Sequence, residues 1–401
     1  MPPKKLIILG AGASGLMASL TAARAGAQVT LLERLPRAGK KLLATGNGRC
    51  NLSNRRAMEL EFYHSAHPDR LRAVLSAFSL EDTLAFFEDI GLPVRAEGDQ
   101  LYPHSLLAGA VVDALRFEAA ALGVELCTEQ AVTAIERSRG GFRVAGRSCA
   151  RVIVATGGQA SPHLGSDGSG YRLLAALGHT RSKLFPGLVQ LVADKAAIKG
   201  LSGVKITPRI RLLADGARLQ ETESELLFTD YGLSGPAALA LSRAVGIRMG
   251  KPCTAALDLL PEWEEAHLAE TLRHRLTRHA ALPAEEWLLG LLHKRLTLAL
   301  LRRLDIAPSI PLGTLTAPEA AVLARLAKSY EIPVSGTRGF QDAQVTCGGI
   351  LLSEFTASLE SRLCPGLYAC GEVLDADGDC GGFNLQWAWS SGAVAGRSAS
   401  C

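Results

Sequence analysis

Residues 39–54, GKKLLATGNGRCNLSN, crowd together Gly46, Gly48, Arg49, Cys50 and the amides of Asn47, Asn51 and Asn54. No acid occurs between Glu33 and Glu59, yet seven bases do: Arg34, Arg37, Lys40, Lys41, Arg49, Arg55 and Arg56. Bare backbone, amides and positive charge are what a loop around an anionic ligand requires. A solvated turn would have the same composition, so the flanking residues must decide. Upstream, LIILGAGASGLMASL carries Gly10, Gly12 and Gly15 in the spacing GxGxxG, and Glu33 closes the next apolar run. In that spacing the first glycine permits a tight turn, the second lets backbone approach a pyrophosphate, and the third lets helix pack on strand. The helix N-terminus then offers free N–H groups and the positive end of its dipole to phosphates. Glu33 is placed to accept a ribose hydroxyl, and an acid there disfavours a 2′-phosphate. The ligand expected is a dinucleotide.

Two later runs narrow its type. VIVATGG (152–158) brings Thr156, Gly157 and Gly158 to the end of an apolar strand, and PGLYACGE (365–372) does the same with Gly371 and Glu372. Both resemble the second and third flavin contacts of glutathione-reductase-type FAD proteins, where the third motif usually ends Gly-Asp rather than Gly-Glu. Beyond it, Gly381 and Gly382 open a terminal helix with Asn384, Gln386, Trp387 and Trp389 near its start. The N-terminus of that helix can face the flavin pyrimidine ring and stabilise negative charge at N1 and C2=O. The two tryptophans read equally as core. The opening loop then runs along the ribityl and phosphate side. Gly46 and Gly48 give close backbone approach, Arg49 and Asn51 can bond phosphate or flavin edges, and Cys50 sits either near the isoalloxazine or in the packing.

The elements that must hold these residues follow from periodicity. Residues 5–9 read as a buried strand, 14–25 as a helix and 28–32 as a second strand, a βαβ unit. Residues 69–91 and 107–122 read as helices, and 124–127, 131–137, 141–145 and 151–155 as short strands. The pattern changes near Phe185–Pro186. Residues 188–260 read as an inserted β-rich domain and 261–333 as a small helical domain, with 1–187 and 334–401 forming the dinucleotide-binding domain and a last helix starting near Asn384.

Composition bounds the class. The chain has 401 residues, of which 48% are hydrophobic and 20% charged, which fits a compact protein and excludes disorder. The net charge of +4 does not by itself demand a polyanionic partner. Nine scattered cysteines form no CxxC, so neither a zinc site nor a dithiol pair is signalled, and reduced thiols in the cytoplasm are expected. HSAH (64–67) lacks further clustered ligands, and no metal is expected. The first residues could pass for a signal peptide, but the glycine spacing accounts for them better. No run of 18 uncharged apolar residues follows, so no membrane span is expected.

Taken together, GAGASGLMAS, LLERLPRAGKKLLATGNGRCNLSN, LLFTDYGLSGPAALALS, VTCGGI and CPGLYACGEVLDADGDCGGFNLQWAWSSGAVAG resemble the BaiN-like (YhiN-like) family of flavoproteins. The resemblance runs along nearly the whole chain. It implies a glutathione-reductase-type FAD-binding Rossmann domain of α/β class, an inserted β-barrel-like domain, a small helical domain, and non-covalent FAD. It carries the cofactor-binding set also to Ser14, Arg34, Lys41, Val132, Phe383 and Leu385. Family activities include reduction of a conjugated C=C bond in a bile-acid intermediate, oxidation of a small amine, and reduction of a ribosomal RNA uridine.

For an enone or a uracil ring, hydride goes to the β-carbon, an acid protonates the α-carbon, and donors hold the carbonyl. Candidate acids are Cys50, Tyr102, His104, Tyr231 and Cys380. NADH or NADPH is the expected donor, bound transiently, because no second GxGxxG on a βαβ unit occurs. The substrate is expected to be a small molecule or RNA. LRHRLTRH (272–279) and HKRLTLALLRR (293–303) place bases on helix faces. These face RNA, or form a solvated surface balanced by Glu264, Glu265, Glu270, Glu285 and Glu286. Three readings remain open: a C=C reductase, a flavin amine oxidase, and a non-catalytic FAD-binding module. Oligomeric state is not encoded legibly.

Overall fold

A computed structural model describes residues 3–401. The chain divides into two compact units. One runs up to Phe185 and resumes as Phe340–Cys401, and the other is Pro186–Gly339.

In the first unit, β1 (Lys5–Leu9), α1 (Ala13–Arg24) and β2 (Gln28–Leu32) form the expected βαβ unit. β1 lies centrally in a five-stranded sheet, in the order Leu367–Ala369, Arg151–Val154, β1, β2 and Glu125–Cys127. All four pairings are parallel, with Leu9 beside Leu32 on one side and Val154 on the other. Such strands are covered on both faces, which is why LIIL and VIV read as unbroken apolar runs. α1 crosses the terminal helix Phe383–Ser400. The crossing is close because Gly392 and Gly396 carry no side chain: a Cβ on either would collide with backbone of Ser14 or Ala18. Trp387 and Trp389 of that helix are core residues, with indole N–H groups donating to Gly371 O (3.1 Å) and Leu52 O (2.9 Å).

Residues 69–91 form two helices rather than one, Pro68–Ala77 and Leu80–Asp89. The break is a capping box: Ser79 Oγ accepts from Asp82 N (3.2 Å), and Ser79 N donates to Asp82 Oδ2 (2.8 Å). Between them and the next helix, Ala108–Ala121, lies a hairpin that periodicity did not reveal, Val94–Glu97 with Gln100–Pro103. The short strand Ser53–Asn54 joins it through Ser53 and Leu101.

The second unit holds an eight-stranded antiparallel sheet, in the order Lys205–Ile206, Leu226–Phe228, Gly232–Ser234, Leu191–Ala193, Tyr330–Thr337, Cys253–Asp258, Arg209–Ala214 and Ala217–Glu223. Its helices do not form a separate core. Leu268, Trp287, Leu300 and Leu323 share one apolar cluster with Leu212, Phe228 and Leu257 of the sheet. Helix Pro236–Gly246 lies within the stretch read as β-rich, and Tyr330–Thr337 returns from the helices to the middle of the sheet. The division at 260/261 is thus a change of secondary structure inside one unit. Lys328 pairs with Asp258 at 2.8 Å and donates to Leu260 O at 2.7 Å, tying helix Ala317–Lys328 to the end of a strand. No described helix is long and apolar enough to cross a membrane. All nine cysteines are free thiols.

Within the first unit, buried His179 joins Glu354 through Nδ1 (2.8 Å) and Ser361 through Nε2 (2.9 Å). Burial works to raise the Glu354 carboxyl, but the Thr180 backbone N–H and His179 outweigh it and hold it below its usual value. A depressed carboxyl stabilises the fold above its unfolded pKa of about 4.3 and loses that contribution as pH falls through the folded value. Glu354→Gln should therefore cost about 1–3 kcal/mol at pH 7. The deficit should shrink below about pH 4, as measured by urea unfolding across pH.

Candidate functional site

The turn after β1 is closed by the protein itself at two glycines. Gly10 adopts φ +100°, and its N–H donates to Leu32 O at 2.7 Å. A Cβ on Gly10 would lie 2.6 Å from Ala155 O, and one on Gly15 would collide with the Gly10 carbonyl oxygen. Gly12 is different. Its φ of −82° suits any residue, and no protein atom lies within 4 Å of where its Cβ would be. Nothing in the fold requires glycine there, so the space in front of it is what a bound group needs. Gly12 also supplies no side-chain cap, which leaves the N-terminus of α1 open. Glu33 is buried at the end of β2, with Oε2 accepting from Ala11 N (2.8 Å) and Oε1 from Leu35 N (2.9 Å). It braces the turn from below. These residues fit the pyrophosphate and ribose of a dinucleotide.

The basic loop bends through the left-handed region at Gly46 (φ +55°), Asn47 (+55°), Gly48 (+83°) and Cys50 (+57°). For Cys50 this conformation stores on the order of 1 kcal/mol. It is held by Arg49 N to Gly46 O (3.1 Å) and Cys50 N to Thr45 O (3.0 Å). Three loop bases meet acids distant in sequence: Arg34 with Asp167 (2.5 Å), Lys41 with Glu372 (2.8 Å) and Arg49 with Glu97 (2.9 Å). Glu372 Oε1 also accepts from Thr346 N (2.8 Å), so the Gly-Glu variant of the third motif is a structural brace. Gly158 and Gly371 pack against it and against Ser14: a Cβ at 158 would press on Thr346 and Glu372, and one at 371 on Ser14 Oγ. Gly157 sits at the same strand end with φ +71°. Two buried oxygens there have no hydrogen-bond partner, Thr156 Oγ1 and Asn51 Oδ1. Buried polar atoms are rarely left unpaired; Thr156 Oγ1 packs against Gly170, and Asn51 Oδ1 lies beside Gly382. Val132 packs half-buried on the core.

The turn Cys380–Gly382 docks on Asn51–Asn54. Asn54 Nδ2 donates to Gly381 O (2.9 Å), and a Cβ on Gly382 would meet Ser53 O at 2.5 Å and Asn51 Oδ1 at 2.9 Å. Phe383 stacks on Phe62 with centroids 4.5 Å apart, and Leu385 is half-buried. Two sequence assignments are corrected here. Gln386 is fully buried, accepting from Ser53 Oγ (2.6 Å) and donating to Thr83 Oγ1 (2.8 Å), so its amide is spent inside the fold. Asn384 is likewise spent on the backbone N–H and C=O of Gly378.

The candidate acids separate. Cys50 is buried, bonded to Thr45 and pushed by burial up to about 12, so it is a packing residue and no acid for a substrate. His104 lies exposed in the turn after the hairpin. Tyr231 belongs to the second unit, where Arg338 covers its ring at 4.7 Å. Tyr102 is buried beneath Arg49, whose Cζ lies 4.6 Å from the ring centroid, and its hydroxyl donates to Gln100 Oε1 (2.6 Å). Cys380 is exposed. Glu97 and Gln100 were not expected; the Glu97-Gly98-Asp99 turn was the signal for their hairpin. His64 instead faces Asp379 at 2.9 Å.

Residues 4–398 match the model of the HI0933-like protein Rossmann domain. The chain belongs to the HI0933-like family. Its first unit is a Rossmann-type FAD-binding domain. The chain is 40% identical over 401 residues to the 3-dehydro-bile acid delta(4,6)-reductase of Clostridium scindens, covering 98% of each. It is 31% identical to the ribosomal RNA dihydrouridine synthase of Escherichia coli, covering 96% of this chain and 95% of the other. Among solved structures it resembles the 3-ketosteroid delta1-dehydrogenase of Sterolibacterium denitrificans at TM-score 0.51 and 12% identity, over the full length of both. That likeness is one of fold.

Gly12→Ala and Gly15→Ala should part company. Gly12→Ala should fold with an unchanged melting temperature and lose FAD affinity by about 100-fold or more. Gly15→Ala should cost about 3 kcal/mol or more through overpacking. Thermal unfolding of the apoproteins and FAD titration check both.

Proposed function

We propose that this protein is an FAD-dependent reductase of conjugated C=C bonds, acting on a small planar enone with NAD(P)H as electron donor, in the cytoplasm. The observation that carries the reading is the 40% identity, along 98% of both chains, to a bile-acid C=C reductase. Bound FAD would supply the hydride chemistry that links a nicotinamide donor to the β-carbon of the substrate. The chain's part is to hold the cofactor and the acceptor and to manage protons. Gly12 and the N-terminus of α1 take the pyrophosphate, and Glu33 fixes the turn beside the ribose. The N-terminus of the last helix sets a positive dipole end behind Gly382. The second unit holds an all-antiparallel sheet without a βαβ unit among the described residues, which supports transient nicotinamide binding at the cofactor face.

Ribosomal RNA is the second reading, favoured by the 31% identical dihydrouridine synthase. The charge pattern on the helices of the second unit is mixed. Arg273 pairs with Glu270 (2.5 Å), Arg275 donates to Trp287 O (2.8 Å) and Leu289 O (2.9 Å), and Lys294 pairs with Glu285 (2.9 Å) and Glu286 (2.8 Å). Acids thus neutralise Arg273 and Lys294, whereas Arg275, Arg295, Arg302 and Arg303 donate to backbone carbonyls and keep their charge, and Arg278 is exposed.

Anaerobic incubation with NADPH or NADH and a steroid 4,6-dien-3-one should give a product heavier by two hydrogens, with rates insensitive to salt. If the enone stays unchanged while deletion of the gene removes dihydrouridine from ribosomal RNA, the RNA reading replaces this one. A steep loss of RNA binding with rising salt would accompany that outcome.

A further inference from the structure

One cavity of the first unit shares no residue with the dinucleotide cradle. It encloses about 490 Å³. Its walls include Ala66, His67, Asp69 and Arg70 around the start of helix Pro68–Ala77, and Ser353 and Arg362 from the segment before strand Leu367–Ala369. Space of that size suits a small organic ligand rather than a lone ion. Its charge is uneven. Arg70 and Arg362 form no ion pair among the described residues, and neither the Arg70 guanidinium nor the His67 imidazole makes a hydrogen bond among them. The acid in the lining, Asp69, has a side chain 97% exposed to water and lies 3.9 Å from Arg72. Two further acids sit next to lining residues, and the fold engages both. Asp375 accepts the Ala66 N–H and the Ser182 hydroxyl (3.3 Å), and Glu354 accepts from Thr180 N and His179 Nδ1 (2.8 Å).

The wall that carries Arg362 is held firmly from inside. Ser353 and Arg362 adjoin Glu354 and Ser361, which grip the two ring nitrogens of buried His179. Ser361 Oγ accepts from Leu363 N (3.1 Å) and Cys364 N (2.9 Å), so its own proton goes to His179 Nε2, and Nδ1–H goes to Glu354. Arg362 N donates to Glu354 O (2.8 Å), and its Nε donates to Phe355 O (3.3 Å). Both Nη groups then remain for a ligand. No step of the reaction proposed above uses the Ser361–His179–Glu354 chain. Its effect is to fix the backbone under Arg362, and a guanidinium held in place loses less entropy when it binds.

Guanidinium forks match the oxygens of carboxylates and phosphates alike. A carboxylate monoanion is satisfied by one fork. Two forks with an imidazole and a hydroxyl beside them fit a phosphate ester, which brings three acceptor oxygens and a charge of about −2. We propose that this cavity binds a small phosphate monoester, with Arg70 and Arg362 clasping the phosphoryl oxygens and His67 and Ser353 donating beside them. The site is separate from the FAD cradle, and the inference does not depend on the reductase reading. Such a phosphate has two sources, the 2′-phosphate of NADPH and a free phosphorylated metabolite.

The test is calorimetric titration of the FAD-loaded full chain with ribose 5-phosphate, with ribose as the control. One site per chain with a Kd of about 1 mM or tighter is expected, and no binding of ribose. Arg70→Ala and Arg362→Ala should each weaken that Kd about tenfold or more, with FAD content and melting temperature kept. Arg116→Ala removes an exposed charge from helix Ala108–Ala121 and should leave the Kd unchanged. Steady-state oxidation of NADPH and NADH then separates the two sources. A higher KM for NADPH but not for NADH in both cavity variants assigns the phosphate to the donor, and unchanged constants assign it to a separate phosphoester. No saturable binding of ribose 5-phosphate up to about 10 mM would overturn the proposal. So would a Kd that neither cavity substitution moves, or an equal loss in Arg116→Ala.

Discussion

The contact on which the site depends is the approach of the Gly15 Cα to the Gly10 carbonyl oxygen, close enough that a Cβ cannot be placed between them. It sets α1 hard against the end of β1 and aims the helix N-terminus over the C-terminal edge of the parallel sheet. Glu33 completes the arrangement by accepting Ala11 N and Leu35 N, so the turn meets its own polar demands. What the turn does not use is the space before Gly12. That separation, two glycines consumed by the fold and one left over, distinguishes a binding turn from a turn that merely needs glycine.

Around this fixed point the remaining walls come from segments far apart in sequence. Lys41–Glu372, Arg34–Asp167 and Arg49–Glu97 span between 48 and 331 residues of chain, yet each is partly solvated. Pairs of that kind contribute about 0–1 kcal/mol each. They orient loops already brought together by the core, chiefly by the crossing of α1 with the terminal helix. The loop at Gly46–Cys50 holds two left-handed non-glycine residues, Asn47 and Cys50, and the packing of Cys50 and Leu52 keeps it in place.

The βαβ unit and the parallel strands were legible because both faces of those strands are buried, which leaves an apolar run that no loop imitates. The helix break at Ser79 was not read, because apolar positions continue in phase across the capping box. The hairpin at 94–103 was missed because no residue of Val94–Glu97 is buried and the strand lacks the alternation of a half-buried one. The loop at 39–54 was legible as a ligand loop but not residue by residue. Composition cannot say that Arg49 stacks on Tyr102, nor that Cys50 points into the core while Cys380 stays open. The same limit applied to Gln386 and Asn384, polar residues at a glycine-rich helix start. Their partners, Thr83 and Gly378, are fixed only by tertiary packing.

The glycine turn, the strand ends at Gly157 and Gly371 and the basic loop form a consistent cradle for a flavin dinucleotide. All of it presupposes that the space before Gly12 belongs to the pyrophosphate of a flavin dinucleotide. The direct measurement is release of the cofactor from purified protein by acid, followed by chromatography and quantitation against chain concentration. One FAD per chain, freed without covalent attachment, is the result expected. A folded protein that yields no flavin, and takes up none when incubated with FAD, would contradict it.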